Sequence, residues 1–192
     1  MKKIAIFASG AGSNADKIIE YFRYSSFINV ALIVTNNPDA GVLNIAAINN
    51  LPTLILEKEK FFHGDGYVDE LKTAGIDLIV LAGFLWKVPV SLIKAFQDKI
   101  INIHPALLPK YGGKGFYGIH VHEAVLANKE EETGITIHFV DEKFDAGKII
   151  FSAICPILEN DTPESLAKRV LKLEHAQYPL IIEKLLTSKQ IL

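Results

Sequence analysis

The chain is poor in cysteine, with Cys155 as the single thiol among 192 residues. One cysteine excludes an internal disulfide framework and a zinc site built from several thiolates. It also fits a reducing compartment, in which free thiols persist. We therefore expect Cys155 to be a structural thiol inside a strand.

Excess charge and long apolar runs are also lacking. Twenty lysine and arginine residues nearly balance 22 aspartate and glutamate residues, so the net charge of -2 is too small to attract nucleic acid. The apolar start at 3–8 stops at Ser9-Gly10, and no apolar run reaches the roughly 18 residues of a membrane span. We expect a cytoplasmic protein that binds neither nucleic acid nor a membrane.

What the chain does have is apolar sequence for a sizeable core, since hydrophobic residues make up 49% of it. Apolar β-type runs alternate with helical patterns, which predicts a single α/β domain over 1–192 with a doubly wound, mostly parallel sheet. The predicted strands lie at 3–8, 29–34, 53–56, 77–83, 100–104, 133–140 and 149–155.

The last part of the chain departs from this alternation. A short connection joins the final two strands, which predicts an antiparallel strand region. Asp161-Thr162-Pro163-Glu164 has the signals of a helix start. A long C-terminal helix should follow, with a disturbance at Pro179. Residues 57–66, which are charged and broken by glycine, are predicted to form a surface loop.

The first strand runs into Ser9-Gly10-Ala11-Gly12-Ser13-Asn14 and then a helical pattern. Glycines let the backbone approach a ligand, and free N–H groups at a helix start attract phosphate. The second strand ends at Thr35-Asn36-Asn37-Pro38, without the carboxylate that a dinucleotide site uses for ribose. A monophosphate therefore fits better than NAD, and a plain tight turn is the alternative.

The fifth strand carries two polar side chains, Asn102 and His104, before Pro105 and Pro109. Alternation puts them on one face of the strand, with the neighbouring isoleucines on the other. An amide donor and an imidazole suit an oxygen that gains negative charge in a transition state. Since neither is a nucleophile for this purpose, the attacking group would come from a substrate. Alternatively, Asn102 caps the sheet end and His104 is a satisfied core histidine.

Two loops should flank this pair, because ligands of open α/β sheets bind beyond the carboxyl ends of the strands. Residues 84–88, which include Trp86, could line a flat heterocycle or only cover the sheet end. Residues 110–118 contain four glycines and suit either a lid or a loose surface excursion.

Two further groups of polar residues are ambiguous. His120 and His122, together with His104 and His138, invite a zinc interpretation. On a helix His120 and His122 would point about 200° apart, and we predict no metal. Asp141, Glu142 and Asp145 follow the sixth strand and could each be an ordinary turn residue. A carboxylate beside an imidazole would instead raise the pKa of that imidazole and fix its orientation.

Several segments, in order along the chain, resemble the glycinamide ribonucleotide branch of the folate-dependent formyltransferase family. The Asn-x-His-Pro motif with the following Asp is shared by hydrolases and transferases that use formyltetrahydrofolate, whereas the first loop and Pro109-Lys110-Tyr111 point to this branch. The matching segments are 9–14, 81–84, 102–111, 138–140, 144–147 and 174–179.

The resemblance implies a Rossmann-like formyltransferase fold, with a phosphate-binding half at 1–100 and a catalytic, folate-binding half at 101–192. It implies a catalytic trio of Asn102, His104 and Asp145. Ligands of the ribonucleotide would be Gly12, Ser13 and Asn14 on the phosphate and Glu174 on the ribose or glycinamide part. Residues lining the folate pocket would be Leu85, Trp86, Lys87, Val88, Asn102, Val140 and Asp141.

Two departures from the family pattern concern the folate pocket. Trp86 stands where bacterial members often carry arginine, and a second arginine in the region of residues 62–66 has no counterpart here. Both would have contacted the glutamate tail of the folate.

The implied reaction moves a formyl group from 10-formyltetrahydrofolate, the co-substrate, to the primary amine of glycinamide ribonucleotide in purine synthesis. Asn102 and a protonated His104 would stabilise the oxyanion, and Asp145 would keep His104 charged. Formyltetrahydrofolate hydrolysis, formyl transfer to another amine and a non-catalytic nucleotide-binding module are the alternatives. We expect a monomer or a homodimer.

Overall fold

The computed structural model describes residues 1–188 and contains seven strands and seven helices in that range. The strands are β1 (Lys2–Phe7), β2 (Ile28–Thr35), β3 (Thr53–Ile55), β4 (Leu78–Leu81), β5 (Ile100–His104), β6 (Glu132–Phe139) and β7 (Ile149–Pro156). The helices are α1 (Ser13–Phe22), α2 (Val42–Ile48), α3 (Lys58–His63), α4 (Val68–Thr73), α5 (Val90–Ala95), α6 (Ile119–Ala127) and α7 (Pro163–Thr187).

The strands form one sheet in the order β3-β2-β1-β4-β5-β6-β7. The first five strands of that order are parallel to one another, whereas β6 is antiparallel to both β5 and β7. This arrangement confirms the predicted mostly parallel sheet with an antiparallel C-terminal region. It also places the carboxyl ends of β4 and β5 side by side at one edge.

Both faces of the sheet are buried, as expected for strands that are apolar throughout. Ile4 and Ile6 of β1 belong to the core on one face, and Ala5 and Phe7 belong to the core on the other. Helix α7 packs on the first face. Cys155 lies buried in β7 against that same core, so the prediction of a structural thiol in a strand is confirmed.

One local prediction was wrong, and a second concerned Pro179. Residues 57–66 were expected to form a loop, but α3 lies within them because Phe61 is fully buried in the second core and anchors a short helix there. Helix α7 continues through Pro179, since Tyr178 and Ile181 on either side of it are buried and hold the helix against the sheet.

Helix α7 is tied to the edge of the sheet where β4 and β5 end. The Tyr178 hydroxyl lies 2.9 Å from the carbonyl oxygen of Leu81 and 3.3 Å from that of Ile101, both within hydrogen-bonding distance. The residues one turn earlier on α7 are thereby held over the same edge. Among residues 1–188, no helix combines the length and the apolar character needed to cross a membrane.

Candidate active site

A cavity of about 700 Å³ opens at the carboxyl ends of β4 and β5. Its lining brings together five candidate residues from distant parts of the chain: Asn14, Asn102, His104, Asp145 and Glu174. The predicted flanking loops also line it, one over 83–88 and the other over 113–118. The expectation that both loops lie beside the Asn102 and His104 pair is confirmed.

Strand β5 presents Asn102 and His104 to this cavity, while Ile101 and Ile103 pack in the core. The predicted alternation is therefore confirmed. His104 is buried, and its Nε2 lies 2.7 Å from the carbonyl oxygen of Tyr111. Because a carbonyl oxygen only accepts, the imidazole carries a proton on Nε2 and donates it to Tyr111.

Asp145 connects two histidines and the glycine-rich loop. Its carboxylate oxygens lie 3.7 Å from Nδ1 of His104 and 3.5 Å from Nε2 of His138. It also accepts a hydrogen bond of 2.8 Å from the backbone N–H of Gly113. The side chain that the sequence left ambiguous between a turn and the site thus lies in the site, whereas Asp141 accepts from the backbone N–H of Lys143 in its own loop.

The electrostatics of this cluster differ from the expectation. Burial lowers the pKa of His104 below its ordinary value, although Asp145 and the bond to Tyr111 act in the opposite direction. Burial therefore acts against the charged His104 that we expected, while the carboxylate of Asp145 favours it. Burial acts to raise the pKa of Asp145, but His138, the Gly113 N–H and His104 together hold that pKa below its usual range.

His138 belongs to the cluster, although sequence reasoning placed it only in a family motif and a zinc alternative. It lies directly opposite Asn102 in the β5–β6 pairing. Its Nδ1–H donates to the carbonyl of Phe139 (2.8 Å), and its Nε2 accepts from the Asn102 amide (3.1 Å). Strand alternation was the signal that could have found it, because Thr136 and His138 are the polar positions between apolar ones.

The glycine loop before α1 has the geometry of a backbone anion site. Gly12 adopts the left-handed φ of 80° and begins α1 with no side-chain cap, so the first N–H groups of the helix lack intrahelical acceptors. A Cβ on Gly12 would lie 2.7 Å from side-chain atoms of Val42. Ser13 is exposed, and Asn14 is buried and lines the cavity.

Glu174 of α7 reaches the same loop. The amide of Asn14 donates a hydrogen bond of 2.6 Å to its carboxyl group. Burial raises the pKa of Glu174 to about 7, with the Asn14 bond acting against the increase. A neutral or charged carboxyl group is thus available beside the glycine loop, within reach of ligand hydroxyl groups.

The residues of the predicted folate wall all line the cavity. They are Leu85, Trp86, Lys87, Val88, Asn102, Val140 and Asp141. Phe84 packs edge to face on Phe7 with ring centroids 5.3 Å apart, and so covers the sheet end. Trp86 packs on Phe62 of α3 with centroids 5.2 Å apart. Phe84 therefore has the predicted covering role, and the use of Trp86 as a wall for a flat ring stays a prediction.

The two histidines of α6 have different environments. His120 is exposed and bonds Glu123, whereas His122 is buried and lines the cavity. They do not share a face, as the helical position predicted. Among the side chains of residues 1–188, no group of three or more histidine, cysteine, aspartate or glutamate residues is arranged to hold a metal ion.

Comparisons with known proteins agree with this geometry. The family model described as formyl transferase matches residues 2–182. Phosphoribosylglycinamide formyltransferase of Arabidopsis thaliana chloroplasts is 46% identical over 94% of this chain, which spans only 64% of that relative. The Bacillus subtilis protein of that name is 36% identical over 97% of this chain and 95% of its own length.

Solved structures show the same relationship. The crystal structure of phosphoribosylglycinamide formyltransferase from Bacillus halodurans superposes with a TM-score of 0.88 and 36% sequence identity. The match covers 98% of this chain and 97% of the solved one. The resemblance found in the sequence motifs therefore extends to the backbone over nearly the whole chain.

Proposed function

Since the chain belongs to the formyl transferase family, we propose that it is a phosphoribosylglycinamide formyltransferase. It transfers the formyl group of 10-formyltetrahydrofolate to the primary amine of glycinamide ribonucleotide. The products are formylglycinamide ribonucleotide and tetrahydrofolate, in the synthesis of purines. The observation that carries this proposal is the convergence of Asn102, His104 and Asp145 on one wall of a cavity large enough for ring-containing ligands.

The chemistry assigned to the trio follows from its donors. The substrate amine attacks the formyl carbon, and the carbonyl oxygen becomes negative. The side-chain amide of Asn102 donates one N–H to Nε2 of His138, and its second N–H donates a hydrogen bond to this oxyanion. The Nε2–H of His104 becomes the other donor when the substrate oxygen displaces the Tyr111 carbonyl.

Asp145 supports His104 rather than reacting itself. Burial favours the neutral form of His104, and the carboxylate 3.7 Å from Nδ1 favours the imidazolium that stabilises the oxyanion. The bond between the formyl carbon and the folate nitrogen breaks as a proton passes from the attacking amine to that nitrogen. The reaction needs neither a covalent enzyme intermediate nor a metal.

The two substrates divide the cavity between them. The ribonucleotide phosphate binds Gly12, Ser13 and Asn14, and Glu174 accepts hydrogen bonds from the ribose or glycinamide part. The folate rings lie along the wall of residues 85–88 with Val140 and Asp141. Residues 1–100 thus mainly bind the phosphate, and residues 101–192 mainly supply the catalytic groups.

The location and assembly of the protein remain part of the proposal. We propose a cytoplasmic protein that acts as a monomer or homodimer and binds these two small molecules, but neither nucleic acid nor a membrane. The nearly balanced charge supports this choice of partners.

One assay separates the proposed reaction from its rivals. The protein is incubated with 10-formyltetrahydrofolate and glycinamide ribonucleotide, each omitted in turn, and release of tetrahydrofolate is followed. Release that requires both substrates is expected. Release without the ribonucleotide would identify a hydrolase, and ribonucleotide binding without any release would identify a nucleotide-binding module.

A further inference from the structure

Three lysines line the cavity, and the charges of their side chains have no role in the chemistry assigned to Asn102, His104 and Asp145: Lys87, Lys114 and Lys143. All three are exposed. Within the described part of the chain, residues 1–188, none of their side chains forms an ion pair, whereas other surface lysines such as Lys2 and Lys110 do. The cavity therefore has cationic groups at its rim with no protein anion assigned to them.

Two of these lysines are neighbours of the same aromatic residue, Phe144. Lys87 lies in the loop after β4, and its Nζ is 5.6 Å from the ring centroid of Phe144. Lys143 immediately precedes Phe144 in the loop between β6 and β7. Each of the two loops that form the proposed folate wall thus contributes one exposed lysine to the lining of the cavity. Lys114 belongs to the glycine-rich loop instead.

The nearby acids do not cancel this positive charge in place. Asp141 accepts a hydrogen bond from the backbone N–H of Lys143, at 2.8 Å. Asp145 is turned inward to His104, His138 and the Gly113 N–H. Within residues 1–188 neither carboxylate forms an ion pair with Lys87 or Lys143, so both ammonium groups remain available to a ligand.

The residue that precedes Lys87 in the same loop has a different character. Trp86 carries no charge and packs against Phe61 and Phe62 of α3, with centroids 5.6 and 5.2 Å away. Such a surface suits flat rings and offers nothing to a carboxylate. A ligand with rings at one end and carboxylates at the other would therefore place its carboxylates at the lysine pair.

We propose that Lys87 and Lys143 bind the carboxylates of the glutamate tail of the folate co-substrate and so determine its affinity. This inference rests on the proposed function, since it takes the co-substrate to be a folate. The lysines are specificity-determining residues that contact the tail, far from the reacting carbon. Their removal should change the KM for the folate and leave kcat unaltered.

The test compares two co-substrates that differ only in the tail: 10-formyltetrahydrofolate and 10-formyltetrahydropteroate, which lacks the glutamate. In the parent, the KM of the folate should be lower than that of the pteroate by about three- to ten-fold, the range of two exposed charge contacts. In the double variant Lys87→Ala/Lys143→Ala, the two KM values should become equal. The KM for the ribonucleotide and kcat should not change.

Lys94→Ala is the matched control, because Lys94 is exposed on α5, close to the same loop, but does not line the cavity. It should keep the preference for the folate. The proposal is overturned if the parent treats both co-substrates alike, or if the double variant retains the parent's preference. Absence of transfer from both co-substrates in the parent would instead contradict the proposed function.

Discussion

The amide of Asn14 donates a hydrogen bond of 2.6 Å to Glu174, across 160 positions of the sequence. It joins the first helix to the last one inside the cavity. Glu174 is buried and, within residues 1–188, has no cation as an ion-pair partner. Burial is therefore the main influence on the protonation of its carboxyl group.

This burial predicts a pH dependence of stability. The native state keeps the Glu174 proton up to a pH of about 7, whereas the ordinary value is 4.5. Protonation thus stabilises the fold fully below pH 4.5, and the contribution is lost as pH rises to 7. Its size is about 3 kcal/mol at most. The free energy of unfolding, measured with denaturant, should lose this contribution between pH 4.5 and 7 in the parent but not in Glu174→Gln.

Glu183→Gln serves as the control, since Glu183 is on the same helix and bonds only the exposed Tyr21 hydroxyl. Its free energy of unfolding should follow the parent from pH 4.5 to 7. If the free energy of unfolding of Glu174→Gln also followed the parent, burial would not govern the protonation of the Glu174 carboxyl group.

The proposed oxyanion donors can be removed one at a time. Asn102→Ala and His104→Ala should each lower kcat by about 100-fold, corresponding to roughly 3 kcal/mol of transition-state stabilisation. Ribonucleotide affinity, measured by calorimetry, should stay within a few-fold because the phosphate binds elsewhere. Asn128→Ala removes an exposed amide at the end of α6 and should change neither quantity. Near-normal turnover in either site variant would refute the assignment.

Asp145 should influence the pH profile through His104. Asp145→Asn deletes the charge that acts to raise the pKa of His104, so burial lowers that pKa further. The protonated imidazole then persists only at lower pH, and the basic limb of kcat moves toward acid. Activity should fall at neutral pH and recover partly on acidification. Asparagine tolerates the left-handed φ of 53° at this position, so the backbone is kept.

Asp141→Asn and Glu142→Gln are the controls for that profile. Both residues are exposed in the same loop, and neither lies against a histidine of the site. The basic limb of kcat should stay in place in both variants. A shift in one of them, with none in Asp145→Asn, would mean that a different carboxylate serves His104.

Much of this site could be predicted because strand alternation is local. The sequence around Asn102 and His104 fixes which side chains share a face, and parallel strands bring their carboxyl ends to one edge. The choice of Asp145 over Asp141 could not be predicted from the pattern of the residues alone. It depends on how the loop after β6 folds back to Gly113, which is a tertiary contact between segments 32 positions apart.

Two other features also depended on tertiary structure. The net pKa of His104 could not be read from its neighbours, because burial outweighs the carboxylate beside it. Helix α3 was missed because its charged sequence is typical of a loop, and only the buried ring of Phe61 shows why it is helical. Neither helix propensity nor the pattern of hydrophobic residues in the sequence shows how deeply His104 and Phe61 are buried.

The glycine loop gives a matched pair of substitutions. Gly12→Ala places a Cβ 2.7 Å from Val42 atoms at a left-handed φ of 80°, so the turn must shift and ribonucleotide affinity should fall by at least ten-fold. Gly10→Ala meets no atom within 4 Å and should bind like the parent. Calorimetry on both folded variants checks the difference. Equal affinities would remove the phosphate role from this loop.

The bond from Tyr178 to the ends of β4 and β5 has a consequence for how the protein is made. A ribosome releases the segment of α7 that carries Glu174 and Tyr178 only after all seven strands of the sheet. A nascent chain can therefore complete its sheet while its cavity still lacks one wall and the Glu174 carboxyl group. Ligand binding during synthesis would begin only when this helix docks, so such binding reports on the last folding step rather than on the sheet.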